Sequence, residues 1–468
     1  MTTPSEKIKV GVRPKPTIKK WTVFLIVAFA LLMITIDATI VATALHTLRE
    51  DLHTTISWAG WTLTAYSLGF VLMLPLSAKL STQFGHRKIF LSSILVFVIA
   101  SLLCGLSHNI YLLIGMRVIQ AIGGAGITPS ATGIIVEYFG NARAQFLGLF
   151  GSIFATGAMI GPIFGGIIVS YWSWDWIFFI NIPLGLAVLI LSLRYIPKDP
   201  EHSFQKEKMD IKGLLLMGLS ILSAMYAATF LGEPDTQLLS PIFIGLLLVF
   251  FISLVWLVRH LKRVKDPFIQ PRFIFGKGFG AVNLLNIIQS GMVIGANSLV
   301  PIYAINQYGI SELKAGTLLV ANGIASVVLS VILSIYINRS GYRLPLYIGG
   351  LVIATGVVLL ALPPQFDWSP FIWLAFCTFF IGAGMGIMSP AGRNAGISLA
   401  PEQSANIAAV RSVGIQIGQI ITIAGTTAII AGDVNPSHSQ AMVYIGLAVI
   451  FVITLPIVSR VPEIKGAW

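Results

Sequence analysis

Charged residues and cysteines are scarce in this sequence. Asp, Glu, Lys and Arg make up 10% of the 468 residues and apolar residues 56%, whereas a soluble domain carries about 25% charged residues. A chain this apolar cannot cover a folded core with polar surface, so we expect lipid to surround most of it. The two cysteines, Cys104 and Cys377, lie in apolar runs and indicate neither a disulfide framework nor a metal site.

The sequence also lacks the alternating segments of a membrane β-barrel, whose strands alternate over about 10 residues. It has instead uninterrupted apolar runs of about 20 residues, the length with which a helix crosses about 30 Å of hydrocarbon. Because lipid offers no hydrogen-bond partners, such runs must satisfy their own backbone as helices. The sequence therefore predicts an all-α polytopic membrane protein. Fourteen candidate spans lie at roughly 21–45, 57–79, 88–107, 111–136, 145–170, 174–194, 211–231, 241–261, 279–305, 314–337, 344–363, 370–396, 405–431 and 440–459.

No hydrophilic stretch is long enough to form a soluble domain, so we expect function to reside within the membrane region. The first apolar run is a full span, and no cleavable signal peptide is expected. The predicted organisation is a cytoplasmic basic tail at 1–20, a bundle of six helices at 21–194, a cytoplasmic linker at 195–210, two extra transmembrane helices at 211–262, a cytoplasmic loop at 263–278, a second bundle of six helices at 279–459 and a cytoplasmic tail at 460–468.

The net charge of +12 reflects basic residues that recur in alternate loops. This is the pattern of the positive-inside rule and not of nucleic-acid binding. It places both termini in the cytoplasm and fits the plasma (inner) membrane of a bacterium. The loops assigned to the inside contain Lys79, Arg87, Lys88, Arg143, Arg194, Lys198, Lys206, Lys208, Lys262, Arg263, Lys265, Arg272, Lys277, Arg339 and Arg343.

Ionisable residues within the spans are few, and each is a candidate functional residue because charge is expensive in hydrocarbon. Asp37 is the one carboxylate deep in a predicted helix. Because burial disfavours the charged form of an acid, Asp37 could take up and release a proton. The alternative is a structural acid permanently paired with an arginine.

Arg117 and Gln120 lie one helical turn apart in the fourth span, on nearly the same face. A buried Arg117 needs an acceptor, because arginine does not deprotonate in proteins, and Asp37 is the expected one. Protonation of Asp37 would weaken that pair and so couple proton binding to movement. The alternative is an arginine that only holds helices together.

Glycines mark a close helix contact in the fifth span. Gly157, Gly161 and Gly165 are spaced by four and share a face, while Pro162 and Gly166 loosen the same helix. A generic glycine dimerisation face is the alternative interpretation.

Other polar residues suggest a gate and a cavity. Glu137 could pair with Arg393 or Arg411 as an inner gate between the two halves, or these charges could be solvated at the membrane interface. Amide side chains suit either a cavity wall or interhelical hydrogen bonds. Those proposed for the cavity are Asn286, Gln289, Asn322 and Gln416.

Four motifs resemble those of the major facilitator superfamily, and within it the fourteen-span drug:proton antiporters. The chain is similar to that family over nearly its whole length. The motifs are Asp37-Ala-Thr-Ile-Val-Ala-Thr-Ala-Leu45, Arg117-x-x-Gln120-x-x-Gly123-Gly-Ala125, Gly157-x-x-x-Gly161-Pro162-x-x-Gly165-Gly166 and Trp174-x-Trp176-Ile-Phe-x-Ile-Asn181-x-Pro183-x-Gly185.

The chain departs from the family pattern in the loop between spans two and three. Gly85, Arg87 and Lys88 match that conformational-switch loop, but Thr82 stands where the family has an aspartate that stabilises one conformation. Smaller departures are Ala42 and His46, which replace an Asn and a Pro of the first motif.

The resemblance implies a major facilitator fold of two six-helix bundles plus two extra transmembrane helices, with a site near the midplane. It implies a monomer, in contact with membrane lipids, that exports small lipophilic or cationic substrates in exchange for protons. A lipid or lipid-linked glycan exporter is the alternative on the same fold. A membrane enzyme would need clustered catalytic groups, and a sensor would need an output domain. No Walker motif is present, so we expect a transporter driven by the proton gradient, with no cofactor.

Overall fold

The computed structural model describes residues 20–54, 56–199, 210–231, 240–431 and 436–463, and the described residues form helices and short connections without a strand. The predicted N-terminal tail lies almost wholly outside these ranges, and so do residues 464–468 of the predicted C-terminal tail and residues 200–209 of the predicted linker. The chain is an all-α polytopic membrane protein, as the apolar runs predicted.

The first half of the chain forms the first bundle. Its helices are α1 (Lys20–Ile40), continued by a 3₁₀ turn (Val41–Ala44) into α2 (Leu45–Asp51), then α3 (Ile56–Phe84), α4 (His86–Gly105), α5 (Ile110–Phe139), α6 (Arg143–Tyr171), α7 (Trp176–Phe179) and α8 (Asn181–Tyr195).

Two further helices, α9 (Ile211–Leu231) and α10 (Pro241–Arg263), precede the second bundle and pack against each other. The second bundle contains a broken helix and five long ones. Its elements are α11 (Pro271–Phe275), α12 (Phe279–Leu285), a π-helical segment (Asn286–Met292), α13 (Val293–Ser298), α14 (Val300–Tyr308), α15 (Glu312–Ser340), α16 (Arg343–Ala361), α17 (Pro370–Ile397), α18 (Ser404–Ala431), α19 (Pro436–Thr454) and a final 3₁₀ segment (Leu455–Arg460).

Eleven of the described helical stretches are long and apolar enough to cross a membrane. One of them, Ile110–Tyr171, contains both α5 and α6, and a shorter apolar helix is found at Ile211–Ala227. The count of fourteen spans stays a prediction.

The beginning and the end of the described chain lie on one face of the molecule, which we call the terminal face. Lys20, at the start of α1, donates to the carbonyl oxygen of Phe139 at the end of α5. Ala144, in the first turn of α6, shares a hydrophobic cluster with Val458 and Val461 of the last segment.

The two bundles are in contact near the terminal face. The side-chain amide of Asn394 donates to the carbonyl oxygen of Ala144 (3.0 Å). Phe146 and Phe150 of α6 share a hydrophobic cluster with Ile397 and Ile407 of the second bundle. The described conformation is therefore closed on this side.

The extra helices cover a junction between the bundles. Met217 of α9 and Leu257 of α10 belong to the same hydrophobic cluster as Leu74 of α3 and Ala409 of α18. Most of the α10 surface is exposed in the isolated chain, as expected for a helix that faces lipid.

The predicted glycine face of α6 packs against α1 of the same bundle. A Cβ atom at Gly157 would lie 2.7 Å from Cβ of Thr35, and one at Gly165 would lie 2.8 Å from the carbonyl oxygen of Ile40. Gly161, between them, is equally crowded, whereas a Cβ at Gly166 would meet nothing within 4 Å. This glycine face is therefore an intramolecular contact, not a surface left for dimerisation.

This contact predicts opposite results for two glycines of one helix. We expect Gly161→Ala to lower the free energy of unfolding by about 1–3 kcal/mol, because the added methyl group forces α1 away from α6. Gly166→Ala should be neutral or stabilising by up to about 1 kcal/mol, since alanine favours the helix and meets no neighbour. Unfolding of both variants in detergent, followed by tryptophan fluorescence, measures the difference. Equal destabilisation by the two changes would contradict the packing described here.

Candidate functional site: a buried carboxylate shared by three helices

Asp37, on α1, lies at the centre of a buried polar cluster, and its residue exposure is 0%. Nη1 of Arg117, on α5, donates to Oδ2 of Asp37 at 2.7 Å. Nε2 of Gln120, one turn further along α5, donates to Oδ1 at 2.9 Å. Nδ2 of Asn181, the first residue of α8, donates to the same oxygen at 2.8 Å. Helices α1, α5 and α8 therefore meet at one carboxylate.

The guanidinium group of Arg117 is enclosed by further partners and is also 0% exposed. Its Nε donates to the carbonyl oxygen of Thr62 (3.3 Å), and its Nη1 also donates to Oε1 of Gln120 (2.5 Å). The ring of Tyr66 stacks on it, with 4.0 Å between the guanidinium carbon and the ring centroid. The positive charge is therefore held between a carboxylate and an aromatic face.

Gln120 extends the cluster to a fifth helix. Its Nε2 also donates to Oγ of Ser101 on α4 at 2.7 Å, and that hydroxyl donates to the carbonyl oxygen of Phe97 at 2.8 Å. A change in the charge of the Asp37 carboxylate therefore alters the hydrogen bonds of every helix that supplies one of these partners.

This geometry ties the charge of Asp37 to the position of Arg117. If Asp37 were protonated with Arg117 in place, a guanidinium charge would remain buried without its counter-ion. Breaking a buried ion pair by removing one partner costs about 3–5 kcal/mol. Protonation therefore favours a different arrangement in which Arg117 finds another acceptor or water.

The ion pair between Asp37 and Arg117 was expected from the sequence, and Gln120 lies beside it as predicted. No role was predicted for Asn181, although the residue belongs to one of the four motifs, and none was predicted for Ser101 or Tyr66. Asn181 is an amide at the first position of an apolar helix, and this feature of the sequence could have indicated a polar contact there. Nothing in the sequence points to the serine or the tyrosine.

The switch loop between α3 and α4 is held by a carboxylate from after α8. Gly85 has a positive φ of 101°, and α4 begins at the next residue. The backbone amides of Arg87 and Lys88 donate to Oδ1 and Oδ2 of Asp199 at 2.8 and 3.0 Å. Thr82 only donates to the carbonyl oxygen of Lys79 in its own helix.

The second bundle repeats this arrangement. Gly341 also has a positive φ, 69°, and the amides of Tyr342 and Arg343 each donate to Glu463 at 3.0 Å. In both bundles, a carboxylate that follows the sixth membrane-spanning helix accepts hydrogen bonds from backbone amides at the start of the third membrane-spanning helix. This internal repeat was not visible in the sequence.

The two arginines of the proposed inner gate form no ion pair with any residue that the structure describes. Arg393, on α17, is 3% exposed, and its guanidinium carbon lies 5.2 and 5.4 Å from the ring centroids of Phe150 and Phe154. Among the described residues, neither Arg393 nor Arg411 forms a hydrogen bond or an ion pair. Their pairing with Glu137 stays a prediction for another conformation.

The polar residues expected to line a cavity differ in their burial and in their hydrogen-bond partners. Asn286 and Gln289, on the π-helical segment, are 3% and 0% exposed, and their amide nitrogens have no partner in the described part of the chain. Asn322 instead donates to the carbonyl oxygen of Thr378 (3.2 Å), which is the interhelical alternative. Gln416, on α18, is partly exposed.

A double-mutant cycle tests whether Asn181 acts on the charge of Asp37. We expect Asn181→Ala to cost about 1.5–3 kcal/mol, as for a hydrogen bond to a charged group. In an Asp37→Asn background the cost should fall to about 0.5–1.5 kcal/mol, because the acceptor is then neutral. Unfolding in detergent measures the four states. Asn322→Ala, which removes a bond to a neutral carbonyl, should cost the same in both backgrounds. Equal costs of Asn181→Ala in the two backgrounds would show that its bond does not depend on that charge.

Comparison with known proteins places this site in a family. Residues 27–423 match the profile of the Major Facilitator Superfamily. Multidrug resistance protein 3 of Bacillus subtilis (strain 168) is 30% identical over 418 residues, which are 87% of this chain and 80% of that protein. The Multidrug resistance protein B homolog of Mycobacterium tuberculosis (strain ATCC 25618 / H37Rv) is 28% identical over 421 residues, 88% of this chain and 76% of that protein.

The fold of a solved transporter agrees with this match. The structure of the proton:xylose symporter XylE superposes with a TM-score of 0.66 at 15% identity and covers 95% of this chain and 96% of that one. The fold thus consists of two six-helix bundles, here with two extra helices between them. The chain belongs to the Major Facilitator Superfamily and is a multi-pass membrane transporter of small molecules, not an enzyme.

Proposed function

We propose that this transporter is a proton-coupled exporter of hydrophobic or cationic drug-like compounds that works by alternating access. The observation that carries the proposal is the buried carboxylate of Asp37, which accepts hydrogen bonds from Arg117, Gln120 and Asn181. A group whose charge and hydrogen bonds change together is a suitable proton carrier, because binding a proton must rearrange its partners.

The proposed cycle uses the closure described above. The terminal face is taken as cytoplasmic, since the basic loops assigned to the inside lie there. The described conformation, closed at that face, is then the one that receives protons from outside. Protonation of Asp37 releases Arg117 and favours the state open to the cytoplasm, where substrate binds as the proton leaves. The transporter acts as a monomer in the plasma membrane of a bacterium.

The available driving force is adequate for this role. Moving one charge across 100 mV provides about 2.3 kcal/mol, which is enough for an accumulation of about 50-fold. One proton per neutral substrate, or two per monovalent cation, moves one net charge and therefore suffices.

The identity of the substrate rests on the relatives. Two proteins that are 30% and 28% identical over most of this chain are named multidrug resistance proteins. These names favour drug-like substrates over the lipid or lipid-linked glycan alternative.

Transport in inside-out vesicles tests the proposal. We expect the wild type to accumulate a lipophilic fluorescent cation as protons leave the lumen. Asp37→Asn should lose this gradient-driven accumulation, while still exchanging labelled for unlabelled cation without a gradient. Retained exchange separates lost coupling from failed folding.

Asp367→Asn provides a matched control, because Asp367 is an exposed acid in a loop. It should accumulate the cation as the wild type does. If Asp37→Asn accumulates the cation normally under a proton gradient, coupling through Asp37 is wrong. If the wild type moves no lipophilic cation at all, the drug-exporter assignment is wrong.

A further inference from the structure

We propose that Arg393 and Arg411, with the amide of Asn286, form a binding site for a small anion in the second bundle, separate from the Asp37 cluster. The anion is either a free ion such as chloride or a carboxylate group of a larger molecule. This inference goes beyond proton-coupled export and does not depend on it.

The two arginines belong to one small cavity. Arg393 comes from α17 and Arg411 from α18, and both line a cavity together with Asn286. Arg393 is 3% exposed, and Nε of both guanidinium groups is buried and has no hydrogen-bond partner among the residues that the structure describes. The two like charges also repel each other.

The side-chain amides of Asn286 and Gln289 also lack hydrogen-bond partners among the described residues. Nδ2 of Asn286 and both polar atoms of Gln289 are buried without partners in the described chain. Asn286 lines this cavity and also an adjoining one, which Gln289 lines as well. The free donors around the two cavities therefore include two guanidinium and two amide nitrogens.

An unpaired buried charge is among the most costly features a fold can contain. In the first bundle, the charge of Arg117 is balanced by Asp37 at 2.7 Å. In the second bundle, the aromatic faces of Phe150 and Phe154 offset part of the cost for Arg393. No described carboxylate pairs with Arg393 or Arg411, so a bound anion is the partner that would complete the site.

The donor chemistry specifies the ligand. Guanidinium groups present parallel N–H donors that match a carboxylate, and amide N–H donors also bind halides and oxyanions. A ligand with a basic group would face two like charges and is excluded. Because α6 of the first bundle packs against Arg393, a bound anion would also strengthen the contact between the bundles.

The experiment measures thermal unfolding of the purified protein in detergent while chloride or acetate is titrated at constant ionic strength. Chloride or acetate replaces the anion of a reference salt, a bulky sulfonate that is too large for the cavity. We expect a saturable rise of the unfolding temperature in the wild type. Arg411→Gln should weaken the apparent affinity for the anion at least about ten-fold, as expected for loss of a charged hydrogen-bond donor.

Matched variants separate binding from folding. Without chloride or acetate, Arg411→Gln should unfold at the same temperature as the wild type or higher, because it removes a positive charge that repels Arg393. Arg393→Gln should also weaken anion binding, and Arg411→Lys should bind with intermediate affinity. Arg259→Gln, which alters an exposed arginine of α10, should respond as the wild type does.

The two probes distinguish the sources of the anion. Saturation by both chloride and acetate, or by chloride alone, supports a site for a free ion. Saturation by acetate alone supports a site for the carboxylate of a larger ligand. If neither salt gives a saturable response, or if Arg393→Gln and Arg411→Gln respond as the wild type does, the proposal is overturned. None of these outcomes depends on whether Asp37 couples transport to protons.

Discussion

The buried ion pair of Asp37 and Arg117 is the interaction on which the first bundle depends. Neither side chain reaches solvent, so each charge must find its partner inside the protein. The carboxylate accepts three hydrogen bonds, from Arg117, Gln120 and Asn181. Because these donors lie on two different helices, the position of α1 is fixed relative to both α5 and α8. Any change of charge at this point must change how those helices fit together.

The opposite face of α1 explains how one helix can be held so firmly. Thr35 and Ile40 lie against Gly157 and Gly165 of α6, where no side chain separates the two backbones. Helix α1 thus has a polar contact on one side and a close backbone contact on the other. Small residues permit the approach that dispersion forces then stabilise in lipid. A shift of α1 caused by protonation would therefore be transmitted to α6, which also contacts the second bundle.

The two bundles share a design but differ in how their charges are balanced. Each uses a carboxylate, Asp199 or Glu463, to cap the helix that follows a glycine with positive φ. The first bundle contains a buried acid and a buried base in contact. The second contains Arg393 and Arg411, neither of which is paired with an acid within the described part of the chain. The two bundles are therefore electrostatically asymmetric.

The sequence by itself determined the class of the protein and the ion pair between Asp37 and Arg117 in the first bundle. Apolar runs of membrane length leave a helix as the one way to satisfy the backbone, and the basic loops indicate an orientation. Asp37 was the one deep acid available to a buried Arg117, so their contact followed from charge balance alone. The packing of Gly157, Gly161 and Gly165 followed from their spacing, although the sequence did not identify α1 as the partner.

Tertiary structure decided the contacts that several candidates could have made. Asn181 is far from Asp37 in sequence, and only the packing of α8 against α1 brings the amide to the carboxylate. Likewise, Glu137 could have paired with either arginine of the second bundle, and the closed arrangement of the helices leaves both arginines without it. Hydropathy and spacing act along one helix and so can be read from sequence, whereas the choice of partner depends on where separate helices cross.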